Sequence, residues 1–304
     1  MLSPRQPAVR SRLLRLALSF FQSLSPEAAL ALGRAMGLLA CFLLPGRGRV
    51  GLRNLRLALG AGPSERERRR ILRRMWQNFG CNLAEFLRFP LYRPENIDRF
   101  VEWRGAERLE RCLAARRGVL VLTAHVGNWD LLALATGMRH GRVGLVAKAL
   151  SSPFWNGFLV AQRIEEFVTS YGKRNSLRDI LRALRDNRVV GMVLDQDARE
   201  EDGRVFAPFF GLPASTLSAP AVLSRRLGLP VLPMFILRLR GGKHRILVLS
   251  PLEYEERETL EEGVAHNTAC YLAVIERVIR RHPEQWNWIH RRWKRRPPGE
   301  PSIY

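Results

Sequence analysis

The apolar positions change their period about a third of the way along the chain. Residues 9–24 (VRSRLLRLALSFFQSL) repeat at helical spacing, with Leu13, Leu16, Phe20 and Leu24 on one side and Arg10, Arg12 and Arg15 near the start. That is the pattern of a helix lying in a membrane interface. Ser25 is placed to cap a second run, Pro26 suits its first turn, and residues 28–44 carry Arg34 as their only charge before Pro45 and Gly46 close it. At ~1.5 Å per residue this run is about 25 Å long, slightly short of the ~30 Å hydrocarbon core of a bilayer. It can span with local thinning, or lie in the interface with Arg34 snorkelling. Residues 50–59 and 64–88 predict two more helices, the second opened by Ser64 with Glu65 and Glu67 in its first turn.

From Arg117 onward the pattern is that of short, continuous apolar runs of strand length: residues 118–123 (GVLVLT), 144–147, 189–194, 231–237 and 246–249. Runs of this kind suit strands covered on both faces. Helical patterns separate them at residues 129–138, 153–170, 176–187 and 217–227, and a last helix is expected over about 258–281. Alternation of this kind predicts an α/β fold, a mostly parallel central sheet flanked by helices. The predicted organisation is residues 1–60 as N-terminal membrane-associating helices and residues 61–304 as the α/β domain, ending in a basic, Trp-rich segment. The basic start lacks a small-residue cleavage site and is expected to be retained.

Composition sharpens the picture. In 304 residues, 46% are hydrophobic and 26% charged, a globular balance that excludes a disordered chain. Lys and Arg number 50 against 28 Asp and Glu, a net charge of +22, so a partner is expected to be anionic. Only Lys148, Lys173, Lys243 and Lys294 are lysines; the rest are Arg, whose planar fork matches phosphate and carboxylate. Cys41, Cys81, Cys112 and Cys270 stand far apart, without metal-ligand spacing, and read as reduced thiols. Gly46, Gly48 and Gly51 form a G-x-G-x-x-G string, but it follows a helical run and holds Arg47 and Arg49, so a dinucleotide loop is not expected.

In parallel sheets chemistry collects at the carboxyl ends of strands. The first core strand delivers His125 there, followed by Val126, Gly127, Asn128, Trp129 and Asp130. Gly127 permits a tight turn and Asn128 can cap the next helix. A His at a strand exit and an Asp in the next helical turn can meet, the carboxylate fixing one ring nitrogen and leaving the other for a substrate proton. No G-x-S-x-G elbow is present, so an acyl-enzyme of the hydrolase type is not expected.

The H-x4-D of His125 and Asp130 resembles the acyltransferase motif of glycerolipid acyltransferases. Taken with Arg53-Asn54-Leu55, Asp195-Gln196-Asp197, residues 205–214 (VFAPFFGLPA) and residues 282–297 (HPEQWNWIHRRWKRRP), the chain more specifically resembles the late acyltransferases of lipid A biosynthesis. Mycobacterial phosphatidylinositol mannoside acyltransferases resemble the pattern too, and a lysophospholipid acyltransferase is the nearest alternative reading. The resemblance implies transfer of a fatty acyl chain from an acyl carrier protein thioester to a hydroxyl of a lipid A precursor, with no cofactor and no metal. It also implies work at the bacterial inner membrane, facing the cytoplasm. His125 would be the base and Asp130 its orienting partner, with Asn128, Lys148, Arg174, Asp195, Asp197 and Arg204 as substrate-binding candidates. Two departures stand out: Lys148 where the family often has Arg, and Asp130 where many members have Glu.

Three side expectations follow from the residues themselves. The Asp195-Gln196-Asp197 triplet reads either as a Mg²⁺ site or as acids satisfied by Arg199 or Arg204. His140, His244 and His266 read as surface residues, His282 and His290 as packing residues. Trp286, Trp288 and Trp293 among Arg291, Arg292, Lys294, Arg295 and Arg296 read as a membrane-interface anchor, which would equally suit RNA stacking. Against a nucleic-acid-binding protein, the cations are spread along the whole chain and no known nucleic-acid motif is present. A non-catalytic membrane scaffold is the other competing class, and His125 with Asp130 at a strand exit argues against it.

Overall fold

The computed structural model describes residues 12–146, 166–171 and 176–304. Lys148, Arg174 and most of the helix expected over 153–170 lie outside the described residues.

Four helices come first: α1 (Arg12–Ser23), α2 (Pro26–Leu43), α3 (Pro45–Leu59) and α4 (Glu65–Arg88). Ser25 caps α2 through its side chain, and Ser64 with Glu67 forms a full capping box on α4. Pro45 does not break the chain into a loop. It sits in the first turn of α3, where a missing N–H costs nothing, and the G-x-G-x-x-G string is helical throughout. Helix α4 is the hub, packing on α1, α2 and α3. Its crossing with α2 is close because glycines meet there: a Cβ on Gly33 or Gly37 would collide with the backbone of Gly80 or Trp76.

The main sheet has the strand order β1-β9-β8-β2-β5-β3-β4. Its members are β1 (Val101–Arg104), β2 (Val119–Thr123), β3 (Val143–Val146), β4 (Val168–Tyr171), β5 (Val189–Val193), β8 (Val231–Arg238) and β9 (His244–Val248). Every neighbouring pair is parallel except β8 with β9. Alternate residues of β2 feed separate cores: Leu120 and Leu122 face one, Val119 and Val121 the other. A strand sandwiched in this way must be apolar at every position, which is why it reads as an unbroken run.

Helices α5 (Ala106–Ala114), α6 (Trp129–His140), α7 (Ser176–Arg185), α8 (Ala219–Leu227) and α9 (Leu260–Arg281) complete the layers. An antiparallel hairpin, β6 (Arg204–Phe209) with β7 (Leu212–Leu217), stands outside the main sheet and packs on α9.

The helix expected up to residue 170 is corrected at its end. Val168 to Tyr171 is an edge strand paired with β3, as its β-branched residues favour. Strands β1, β6 and β7 and helix α5 were not anticipated. The four cysteines are free thiols, Cys81 fully buried.

Candidate active site

Register brings the two central residues together. Strands β2 and β5 are parallel neighbours with Thr123 opposite Val193, so residues two positions beyond each, His125 and Asp195, leave the sheet side by side. The Asp195 carboxylate takes three donors. His125 Nδ1 lies 2.8 Å from Oδ1, the His125 backbone N–H donates to Oδ2 at 3.0 Å, and Trp286 Nε1 donates to Oδ2 at 2.6 Å.

Burial pushes the pKa of Asp195 up. The charge of His125 and the hydrogen bonds from its ring, from Trp286 and from the backbone override this and bring it to about 2. An ionised Asp195 fixes the proton of a neutral His125 on Nδ1 and leaves Nε2 as the basic nitrogen. Nε2 faces the Gln196 side-chain amide at 3.2 Å, and the ring meets the edge of Trp129 at 4.8 Å between centroids. A narrow apolar cavity of about 20 Å³ opens beside Trp129, lined by Val121, Leu132, Thr136, Leu145 and Gly191.

The other expected site residues are placed as follows. Asp195, expected to bind substrate, is committed to His125. Asp130 sits half-buried in the first turn of α6. Asn128 is buried, with Oδ1 capping Leu131 N–H at 3.1 Å and Nδ2 donating to Glu85 Oε2 at 2.7 Å, so its amide is held by the protein interior. Asp197 is held by Arg295 in an ion pair and by the Arg295 backbone N–H. The expected arginine partners of the acids lie elsewhere: Arg199 pairs with Glu201, and Arg204 with Glu200 while covering the Phe206 ring.

The turn after His125 is clamped from behind. Gly127 has φ +61°, and a Cβ there would collide with Ile236 O. Its N–H donates to Gln285 O at 3.0 Å and its carbonyl accepts from Asn82 Nδ2 at 2.6 Å. Glu85, one turn along α4, is buried and accepts from both Arg238 Nη atoms (2.5 and 2.7 Å), from His244 Nε2 (2.8 Å) and from Asn128. Burial raises its pKa, but the charges and hydrogen bonds of His244 and Arg238 outweigh that and hold it well below the usual carboxylate range. His244 is therefore a buried hydrogen-bond partner of Glu85 and not a surface residue.

The C-terminal string is core, not a membrane anchor. Trp286, Trp288 and Trp293 are at most 1% exposed and pack around Phe209 and Phe210. Arg292 is fully buried, donating to Ser215 O and Thr216 Oγ1, each at 2.6 Å. Asn54 donates to the carbonyls of Trp288 and His290 at 2.7 Å, and His290 Nε2 accepts the Asp197 N–H at 3.1 Å. Burial drives the His290 pKa down to about 4, which keeps that ring neutral and able to accept. The rings and guanidinia that would anchor a bilayer instead lock the hairpin and the Asp195–Asp197 segment in place.

A carboxylate-fixed imidazole with its second nitrogen presented at the carboxyl edge of an α/β sheet is the arrangement that general-base chemistry requires. The family model for bacterial lipid A biosynthesis acyltransferases matches residues 13–295. The chain is 30% identical to the lipid A biosynthesis lauroyltransferase of Escherichia coli (strain K12) over 275 residues, covering 90% of this chain and 87% of that protein. It is also 30% identical to the lipid A biosynthesis palmitoleoyltransferase of the same organism over 287 residues, with the same coverage. Similarity to the phosphatidylinositol mannoside acyltransferase of Mycobacterium tuberculosis (strain CDC 1551 / Oshkosh) is 25% over 226 residues, 71% of this chain and 68% of that protein. The chain belongs to the bacterial lipid A biosynthesis acyltransferase family, and is an O-acyltransferase.

Proposed function

We propose that this enzyme moves a fatty acyl chain from an acyl carrier protein thioester to a hydroxyl of a lipid A precursor, at the cytoplasmic face of the inner membrane. The observation that carries the reading is the His125–Asp195 pair, with Nδ1 on a buried carboxylate and Nε2 facing the Gln196 amide. His125 Nε2 takes the hydroxyl proton and the oxygen attacks the thioester carbonyl directly. Asp195 holds the ring and balances the imidazolium that forms. The imidazolium then protonates the departing thiolate, so no acyl-enzyme accumulates. The apolar cavity beside Trp129 is where the first methylenes of the acyl chain would start.

Membrane association is read from α1 and α2. Helix α2 has a mean hydropathy of 1.4 over its 18 residues and leaves Leu38, Leu39 and Leu43 exposed, with Phe42 82% exposed. Its opposite face, with Ala29, Leu30, Gly33 and Gly37, is buried. A helix with one face held by protein and the other apolar fits the interface better than an isolated crossing.

The net charge of +22 suits both an acidic carrier and a phosphorylated lipid. Mass spectrometry of lipid A and phospholipid from cells with and without the protein tests the acceptor. Loss of one acyl chain from lipid A is expected; a change confined to phospholipid or to a mannosylated phosphatidylinositol moves the acceptor to that class.

A further inference from the structure

We infer that Gln196 is a catalytic residue: its side-chain amide donates to the oxyanion that develops when the acceptor hydroxyl attacks the thioester. The inference rests on the reading of His125 as the base.

Direct attack places negative charge on the thioester carbonyl oxygen, and that charge needs a donor close to the nucleophile. Two neighbouring donors are held by the protein: the Asn128 amide bonds Glu85 and caps α6, and the Gly127 N–H is bonded to Gln285 O. Gln196 Nε2 stands 3.2 Å from His125 Nε2, where an acceptor hydroxyl must arrive. A neutral ring with its proton on Nδ1 offers Nε2 as an acceptor, so the Gln196 amide is the donor in this contact.

The flanking residues make this a prepared position. Asp195 is fixed by His125 and Trp286, and Asp197 by Arg295, with its own N–H bound to His290. The Gln196 backbone is thus pinned on both sides while its side chain is exposed. When the hydroxyl takes the place on Nε2, the displaced amide needs to swing only a few ångströms to lie ~3 Å from the new oxyanion.

The step balances as follows. The hydroxyl proton passes to His125 Nε2 and the oxygen bonds to the carbonyl carbon, whose π pair moves onto its oxygen, held by the Gln196 N–H. The carbonyl then re-forms, the C–S bond breaks, and the thiolate takes the proton back from Nε2. The products are an ester and a free thiol.

The test compares Gln196→Ala, Gln196→Glu and His125→Ala in the full-length enzyme, using an acyl carrier protein thioester and lipid A precursor in detergent. Gln196→Ala is expected to lower kcat about 10²- to 10³-fold with both KM values within about twofold. The side chain is exposed, so the unfolding midpoint should not move. Gln196→Glu should be at least as slow, since a carboxylate opposes the oxyanion. Gln196→Ala with kcat within threefold of the unaltered enzyme, or with an effect on KM alone, overturns the inference while leaving the base reading intact if His125→Ala is inactive. An active His125→Ala overturns the base reading itself.

Discussion

Glu85 and Arg238 form a buried two-point ion pair directly behind the turn that carries His125, with the arginine's Nη2 also donating to Asn82 Oδ1 at 2.7 Å. Glu85 comes from α4, Arg238 from the end of β8, and through Asn128 and Asn82 they set the backbone that follows His125. Breaking such a pair from one side leaves a charge buried without its partner. Glu85→Gln is therefore expected to cost roughly 3–5 kcal/mol in denaturant unfolding. Glu85→Gln combined with Arg238→Met should cost less than the sum of the two single changes. Additive losses would show that the charges are not coupled.

Asp195 and His125 should behave as one unit. Asp195→Asn replaces an acceptor with an amide that can present its N–H to Nδ1 and so favour the wrong tautomer. We expect His125→Ala to lower kcat by about 10²- to 10⁴-fold, Asp195→Asn by a comparable factor, and the double variant little further, since base loss and base misorientation remove the same step. A product of the two single effects in the double variant would assign Asp195 an independent role.

Stability should fall with acid in two stages. His290 has its pKa depressed from 6.5 to about 4 by burial. The unfolded chain binds a proton there first, so stability is full above about pH 6.5 and declines as pH falls towards 4, by about 3 kcal/mol. Asp195, lowered from 3.8 to about 2, adds a further loss of about 2 kcal/mol below pH 4, with Glu85 shifting in the same direction. Urea unfolding between pH 7 and 2 checks this. His290→Asn should flatten the curve between pH 6.5 and 4 and leave the lower stage in place.

The parts of the site that the chain reveals are those written in local pattern. Strand β2 is an unbroken apolar run because both its faces are covered, and His125 directly beyond it stands out. Asp195 is equally visible beyond β5, but pairing it with His125 requires knowing that Thr123 lies opposite Val193, a fact of register and not of composition. Asp130, five residues away, is the partner that spacing alone proposes. The tryptophans show the same limit. Trp293 and Arg292 have the composition of an interface anchor, and only distant residues such as Phe209, Ser215 and Thr216 convert them into a buried lock. The hairpin of β6 and β7 escaped because its burial does not alternate cleanly along β6.

With the C-terminal rings buried, the proposed membrane association rests on α1 and α2. Leu16 and Phe20 on α1 and Leu39, Phe42 and Leu43 on α2 are all more than half exposed, an apolar surface that water disfavours and a bilayer would accept. Each such side chain is worth about 1.5–3 kcal/mol when fully buried. Phe42→Asp together with Leu39→Asp should weaken partition onto phosphatidylethanolamine–phosphatidylglycerol vesicles by tenfold or more, because every ~1.4 kcal/mol is a factor of ten. Neither residue lies on the Gly33 and Gly37 face that packs against α4, so the unfolding midpoint should hold. Trp293→Ala makes the opposite contrast. It should cost roughly 3–5 kcal/mol of stability through a core cavity, with no specific loss of vesicle binding in the fraction that remains folded. Undiminished sedimentation of the doubly substituted protein with vesicles would transfer the membrane contact from α2 to another surface of the enzyme.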